Sequence, residues 1–322
     1  PANTLLWVPT SKWPCNIPLY PHFIKSLMEK RGGGMERMEV LVDDVTFLRF
    51  GPAVSIGAFH AFSAGGALAK FACRTRPYEL EKGATDRRLE RSLAVLVEAF
   101  ERGTSKEAAY REAFEPFAEI PTAPRDRPKV AVFGDFYARD NEVFNQGLVR
   151  AIEEAGGEAV TTSYIEYLKS ALDPLFRRMI KDRRYGAWAR TKAAHAIVLA
   201  VERTLSLAAS DWFGKSQSWS NPGYARKLGL FGITEDHEGE CFDNTLKILR
   251  LLETHPDISL FVQASPAFCC PSIITEAMSK EIERVTGVPV VTVTYDGTGA
   301  PKNDAIAPYL AFARSGKEPW RG

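Results

Sequence analysis

Cys269 and Cys270 stand side by side in "FCCPSIITEAM" (268–278), between an apolar run and a helix-like one, in a chain with only five cysteines. A bridge between neighbouring cysteines strains the peptide that joins them, so a mutual disulfide is a poor reading. The positive end of a helix dipole favours thiolate, and thiolates are what soft metals and iron–sulfur clusters require. Free cysteine is also a common small buried hydrophobe. Local sequence leaves ligand, nucleophile and packing residue all open for this pair.

The other three cysteines divide in the same way. Cys15 lies in "SKWPCNIPLYP", a proline-bounded loop just after a strand-like run, where fixed geometry suits either a ligand or a packed loop. Cys241 closes "EDHEGEC" (235–241), four residues after His237, so the two would share one helix face. Acidic residues ahead of a helix also serve as N-terminal charge, which weakens the metal reading there. Cys73, in "FACRTRPYE", ends an apolar helix and reads as a core thiol.

These residues need elements to hold them. "TLLWVP" (4–9) and "MEVLV" (38–42) read as strands around a helix near 18–30. Residues 56–72 form a buried helix rich in small residues, and 86–103 and 105–120 carry apolar residues at helical spacing, with Ser105 as an N-cap. "PTAPRDRP" (121–128) holds three prolines in eight residues and is the linker candidate. The pattern then restarts with strand 129–134, helix 141–156 and strand 158–162, a βαβ unit that implies a parallel sheet. Helical sequence over 164–213 breaks at 214–223. Strands 257–264 and 288–297 flank the cysteine helix, and a helix over 303–314, capped by Asn303, closes the chain. The expected fold is α/β: two Rossmann-like or flavodoxin-like parallel-sheet domains with additional helices, an N-terminal one over 1–127 and a C-terminal one with a helical insertion over 128–322.

Composition narrows the function classes. A net charge of +1, from 41 basic and 40 acidic residues, implies no basic face for nucleic acid. The longest apolar runs, such as "AIVLAV" (196–201), are far too short to span a membrane, and "PANTLLWVP" lacks the basic region and cleavage site of a signal peptide. Sparse, odd-numbered cysteine suits a cytoplasmic, reducing setting. "GKS" (214–216) lacks the leading glycine of a phosphate loop, since position 209 is Ala209, and no strand precedes it. "GTGAPK" (297–302) has Lys302 where a dinucleotide loop needs its third glycine and reads as a turn.

Several stretches taken together resemble a known family. They are "CNIPLY" (15–20), "RPYELEKGATD" (76–86), "VAVFGDFYARDNEVFNQGLVRAIEEAGGE" (130–158), "HEGE" (237–240), "SPAFCCPS" (265–272) and "TYDGTGAPKND" (294–304). They resemble, in family order, the C-terminal portion of the large CoA-substrate-specific enzyme activases, relatives of the 2-hydroxyacyl-CoA dehydratase subunits and of the double-cubane iron–sulfur proteins. Cys15 and Cys269 match cysteines of that pattern, whereas Cys270 stands where relatives often carry methionine. The resemblance implies a 4Fe-4S or larger cluster in a cleft between the two domains, with Cys15 and Cys269 as ligands; Cys241 and Cys270 complete the set of candidate metal ligands. It also implies ATP-driven low-potential electron transfer or reduction of a small-molecule or acyl-CoA substrate. The nucleotide-binding activase domain is missing from the chain, so ATP hydrolysis would come from a partner domain or subunit, in a homo- or heterodimer. Two other readings stand beside it: a docking or regulatory domain that has no cluster, and a thiol-nucleophile enzyme using Cys269 or Cys270.

Overall fold

Among the described residues every strand pairs in parallel, and the helices between them follow from that. The computed structural model describes residues 4–10, 16–43, 48–163, 166, 175–209, 224–234 and 240–313. Near the N-terminus, β1 (Leu5–Pro9) and β2 (Glu39–Asp43) pair in register from Leu5–Glu39 to Pro9–Asp43, joined through helix α1 (Tyr20–Arg31). A helical block follows: α2 (Pro52–Thr75), α3 (Ala84–Arg102) and α4 (Lys106–Phe114). Ser105 caps α4 as its position predicts, its hydroxyl accepting the Ala108 amide at 3.4 Å. The helix expected over 105–120 tightens to a 3-10 turn after Phe114, where Pro116 enters the first turn.

The second sheet has the order β4-β3-β5-β6, from β3 (Lys129–Gly134), β4 (Glu158–Val160), β5 (Ile258–Pro266) and β6 (Val290–Tyr295). Strand β3 is buried from Val130 onward, as expected for a strand covered on both faces. Its alternation divides the core. Val130 and Val132 face a layer with Leu148 and Ile152 of α6 (Leu148–Glu154), while Ala131 and Phe133 face the opposite layer. Before α6 comes the short helix α5 (Phe136–Asp140). After it come α7 (Tyr185–Ala208), α8 (Tyr224–Gly229), α9 (Glu240–Thr254), α10 (Cys270–Ala277), α11 (Ser279–Thr286) and α12 (Ile306–Ala313). Ile248, Leu249 and Leu252 of α9 and Ile282 of α11 close the second layer.

The helix expected over 141–156 starts only at Leu148. Asn141 ends α5, its side chain accepts the Phe144 amide at 2.9 Å, and Gln146 and Gly147 both adopt positive φ, so the chain turns before the helix begins. Asn303 does not cap the last helix. Its amide donates to the carbonyls of Asn145 (2.9 Å) and Gln146 (3.0 Å), and its oxygen accepts the Tyr295 hydroxyl at 2.8 Å. It ties the loop after β6 to the loop after β3.

Segments on either side of residue 127 are bonded together. Leu205 and Ala208 of α7 complete the core formed by α2, α3 and α4. The proline-rich stretch runs against the "RPYE" segment, with the Leu80 amide on the Pro121 carbonyl (3.0 Å) and the Ala123 amide on the Tyr78 carbonyl (2.9 Å). Arg76 bridges Asp86 (2.9 Å) and Glu153 (2.8 Å), and Arg150 reaches Asp86 at 2.7 Å. Among the described residues no helix is long and apolar enough to cross a membrane.

Candidate functional site

Strand β3 crosses over to β4 on one side, and β5 crosses over to β6 on the other. The carboxyl ends of β3 and β5 are therefore where chains leave in opposite directions, the usual ligand crevice of a parallel sheet. Gly134 ends β3 at φ +108°, and a Cβ there would lie 2.3 Å from the Ala264 carbonyl oxygen. That oxygen accepts the Asp135 amide at 3.0 Å, so the two strands close tightly at their tips. Asp135 then caps α5, its carboxylate accepting the Ala138 amide at 2.8 Å. Burial pushes the Asp135 carboxyl above the ordinary aspartate range, against the pull of the Ala138 and Tyr137 amides and of Arg139 and Lys247. Arg139 is buried, grips Asp140 with two nitrogens (2.7 and 2.8 Å) and reaches the Thr162 hydroxyl past the end of β4 at 2.6 Å.

The cysteine loop leaves the end of β5. Phe268 takes φ +64°, a conformation that L side chains rarely adopt, and leaves its ring 82% exposed. Cys269 is the N-cap of α10, with the Ile273 amide on its carbonyl at 3.0 Å, and Cys270 is the first residue of the helix. The two thiols differ in setting: Cys269 is buried and Cys270 exposed. The amide of Asn16 donates to the Phe268 carbonyl at 3.2 Å. Cys15 lies outside the described residues, but the residue that follows it is bonded to the residue that precedes Cys269.

Helix α9 packs on α10, where the Asn244 amide meets the Thr275 hydroxyl at 3.3 Å, both buried. Cys241 falls in the first turn of α9, and its side chain lies outside the described residues, as does His237. The "GKS" segment also lies outside them. Beneath α10, Gln263 donates to the Ser272 carbonyl at 2.8 Å, while Gln263 Oε1 and Ser272 Oγ are buried without a hydrogen-bond partner among the described residues. Buried polar atoms normally find partners, so this pair marks hydrogen-bonding capacity held beside the cysteines. Among the described residues no three His, Cys, Asp or Glu side chains gather as a metal site. Cys73 packs with Val130 and Leu260 in the sheet core, and burial, aided by Glu153, pushes its thiol up to about 12.

Two of the four candidate ligands, Cys269 and Cys270, have described side chains, and thiol is the donor type that an iron–sulfur cluster takes. One buried thiol sits at the crevice with an exposed one beside it. A hydroxyl occupies the third position of the helix, from which side chains reach back toward the cap. Sequence spacing pointed to Cys269 and Cys270 but not to Phe268, Gln263, Ser272 or Asp135. "GD" directly after a strand was the one signal available for Asp135, since glycine at a strand end marks close backbone approach. Comparison with protein-family models, curated proteins and solved structures gives no match.

Proposed function

We propose that this chain holds an iron–sulfur cluster, 4Fe-4S or larger, through Cys15 and Cys269, with Cys241 and Cys270 completing the ligand set. In this reading it is a component of ATP-driven low-potential electron transfer or reduction. The observation that carries it is the Asn16–Phe268 hydrogen bond, which joins the neighbours of Cys15 and Cys269 across 252 positions of sequence. Such a cluster supplies one-electron transfer at low potential to a small-molecule or acyl-CoA substrate. The chain's own residues do the rest. Burial of Cys269 keeps water from its sulfur, and solvent exclusion is one of the factors that set a cluster's potential. The two parallel sheets are read as Rossmann-like or flavodoxin-like parts, 1–127 and 128–322, with the helical insertion in the second.

An ATP-hydrolysing activase is the proposed electron donor, with the chain acting in a homo- or heterodimer in the cytoplasm. Phe268, Leu19 and Ile273 are exposed apolar side chains on and around the cysteine loop, which supports a protein partner seated there. The test is iron and sulfide per chain after anaerobic reconstitution of Cys15→Ala, Cys269→Ala and Cys73→Ala. The first two lose iron sharply, because an opened iron site does not hold, and the third keeps it. Full iron in both of the first two overturns the assignment. Iron-free wild-type protein favours the docking or regulatory reading.

A further inference from the structure

The start of α7 belongs to a helical corner whose charge is nearly all of one sign. Between Asp173 and Glu202 the chain carries seven basic side chains and one carboxylate, Asp182. The balanced charge of the whole chain conceals this, because acidic residues outnumber basic ones in the rest of the sequence. Asp182 lies 3.4 Å from Arg178, whereas Arg183, Arg184 and Arg190 form no ion pair among the described residues. Helices α2 and α7 run parallel: Phe59 packs on Val198 and Val201, and Leu68 and Phe71 share a core with Leu205 and Ala208. Counted back from those contacts, α7 begins roughly 10 Å beyond the start of α2. The helical turns over 175–181 fold back on that overhang, with the Lys192 ammonium 3.9 Å from the Phe176 ring and the His195 ring 5.5 Å from it. Arg183 and Arg184 make the turn of the corner, both exposed, and Arg183 takes φ +56° to do so.

Cations alone would describe a solvated face, but here they alternate with exposed apolar groups. Ile180 is 50% exposed and Tyr185 62%. Beyond Lys192 the outer side of α7 continues without charge through Ala193, Ala196, Ile197 and Ala200, all exposed. Their spacing of three and four residues makes one stripe, turned away from Val198 and Val201. Nucleic acid would engage the arginines and leave the aliphatic groups in water. A protein partner would bury a face whose centre is poor in charge. A layer of anionic headgroups over hydrocarbon uses both kinds of side chain. We propose that this corner seats the chain on an anionic lipid surface. Arg183, Arg184 and Arg190 meet the headgroups, while Ile180, Tyr185 and the uncharged stripe of α7 enter the boundary with the acyl chains. The attachment is peripheral, with α7 lying along the surface rather than crossing it. The proposal rests on no part of the cysteine assignment.

The experiment is flotation of the full chain with vesicles of phosphatidylcholine alone and of phosphatidylcholine mixed with phosphatidylserine, at low and at physiological ionic strength. Binding to the mixed vesicles, absent from the neutral ones and weakened by salt, is the expected result. Arg184→Ala combined with Arg190→Ala weakens it roughly 30-fold, about fivefold for each basic residue near the surface. Ile180→Ser combined with Tyr185→Ser weakens it roughly 10-fold through lost apolar contact. All four side chains are exposed, so circular dichroism of both variants matches wild type. Lys280→Ala on the exposed face of α11 leaves binding unchanged. The proposal is overturned if the mixed vesicles hold no more chain than the neutral ones, or if either double variant floats as wild type does. It is also overturned if duplex DNA or polyglutamate binds through the same arginines more tightly than the mixed vesicles.

Discussion

Gly134→Ala is the most demanding test of how the crevice is built. The methyl group would arrive 2.3 Å from the Ala264 oxygen, well inside the 3.0 Å that real Cβ contacts respect, and the atom it meets is backbone. Relief requires β3 and β5 to part at their tips by roughly 0.7 Å, or the chain to leave φ +108°. Holding an L-residue in so sparsely populated a region costs about 1–3 kcal/mol. Parting the tips breaks the 3.0 Å bond from the Asp135 amide to the same oxygen, which costs about 1–3 kcal/mol more if the donor stays buried. Together these give a loss of about 2–6 kcal/mol, a large share of a typical domain's stability. Thermal unfolding followed by circular dichroism should show an apparent Tm lowered by about 3–9 °C. Gly65→Ala is the matched control, since Gly65 lies inside α2 with nothing within 4 Å of its Cβ position, and that change should stabilise by about 0.5–1 kcal/mol. If Gly134→Ala melts within about 1 °C of wild type, the tight closure of β3 on β5 is not a real constraint.

Three further outcomes follow from other parts of the molecule. In apo protein at pH 8, Cys270 should alkylate readily while Cys73, with its thiol near 12, exposes about one thiolate in ten thousand and labels only on unfolding, as read by peptide mass spectrometry; equal labelling of the two would refute the burial difference. Glu79 accepts the Gly83 and Thr85 amides at 2.7 and 2.8 Å, and although burial opposes it, the bonds from Thr85 and Gly83 hold its carboxyl below the usual range. Its stabilisation is therefore complete above an unfolded pKa of about 4.3 and disappears as pH falls through the lower folded value. Glu79→Gln should cost about 1–2 kcal/mol at neutral pH and flatten the acid limb of urea midpoints, and an unchanged acid limb would count against it. Tyr78→Phe removes the 2.6 Å donor to the buried Glu158 carboxylate and should cost about 1–3 kcal/mol in the same assay; a neutral effect would show that water replaces the hydroxyl.

The strands were legible because each is a short apolar run bounded by Gly, Pro or charge: β3 occupies 129–134 as read, and β1, β2, β4, β5 and β6 differ from expectation by a residue or two. Local chemistry also revealed the Ser105 cap and the position of the cysteine pair past a strand. What stayed hidden depends on side chains that bond far along the chain. Asn303 looked like a cap because nothing nearby in sequence shows that Asn145 and Gln146 need its amide. Residues 141–147 carry helical periodicity, yet the Asn141 side chain takes the amide that a helix would have used. At the site, spacing could not tell that Cys269 is enclosed and Cys270 open, because burial there is decided by what packs over the loop.

The core shared by α2, α3, α4 and α7 also bears on how this protein is made. A ribosome delivers residues 52–117 long before Leu205, Ala208 and Ala209, which finish the same core. Roughly 90 residues separate the two, which is about 5–20 s of synthesis. Throughout that interval the nascent helical block presents an apolar face with no lid, including the ground on which Leu205 and Ala208 will land. Such an open face is the kind of surface that chaperones bind, and slowing translation between residues 120 and 205 should prolong its exposure and lower the yield of native protein.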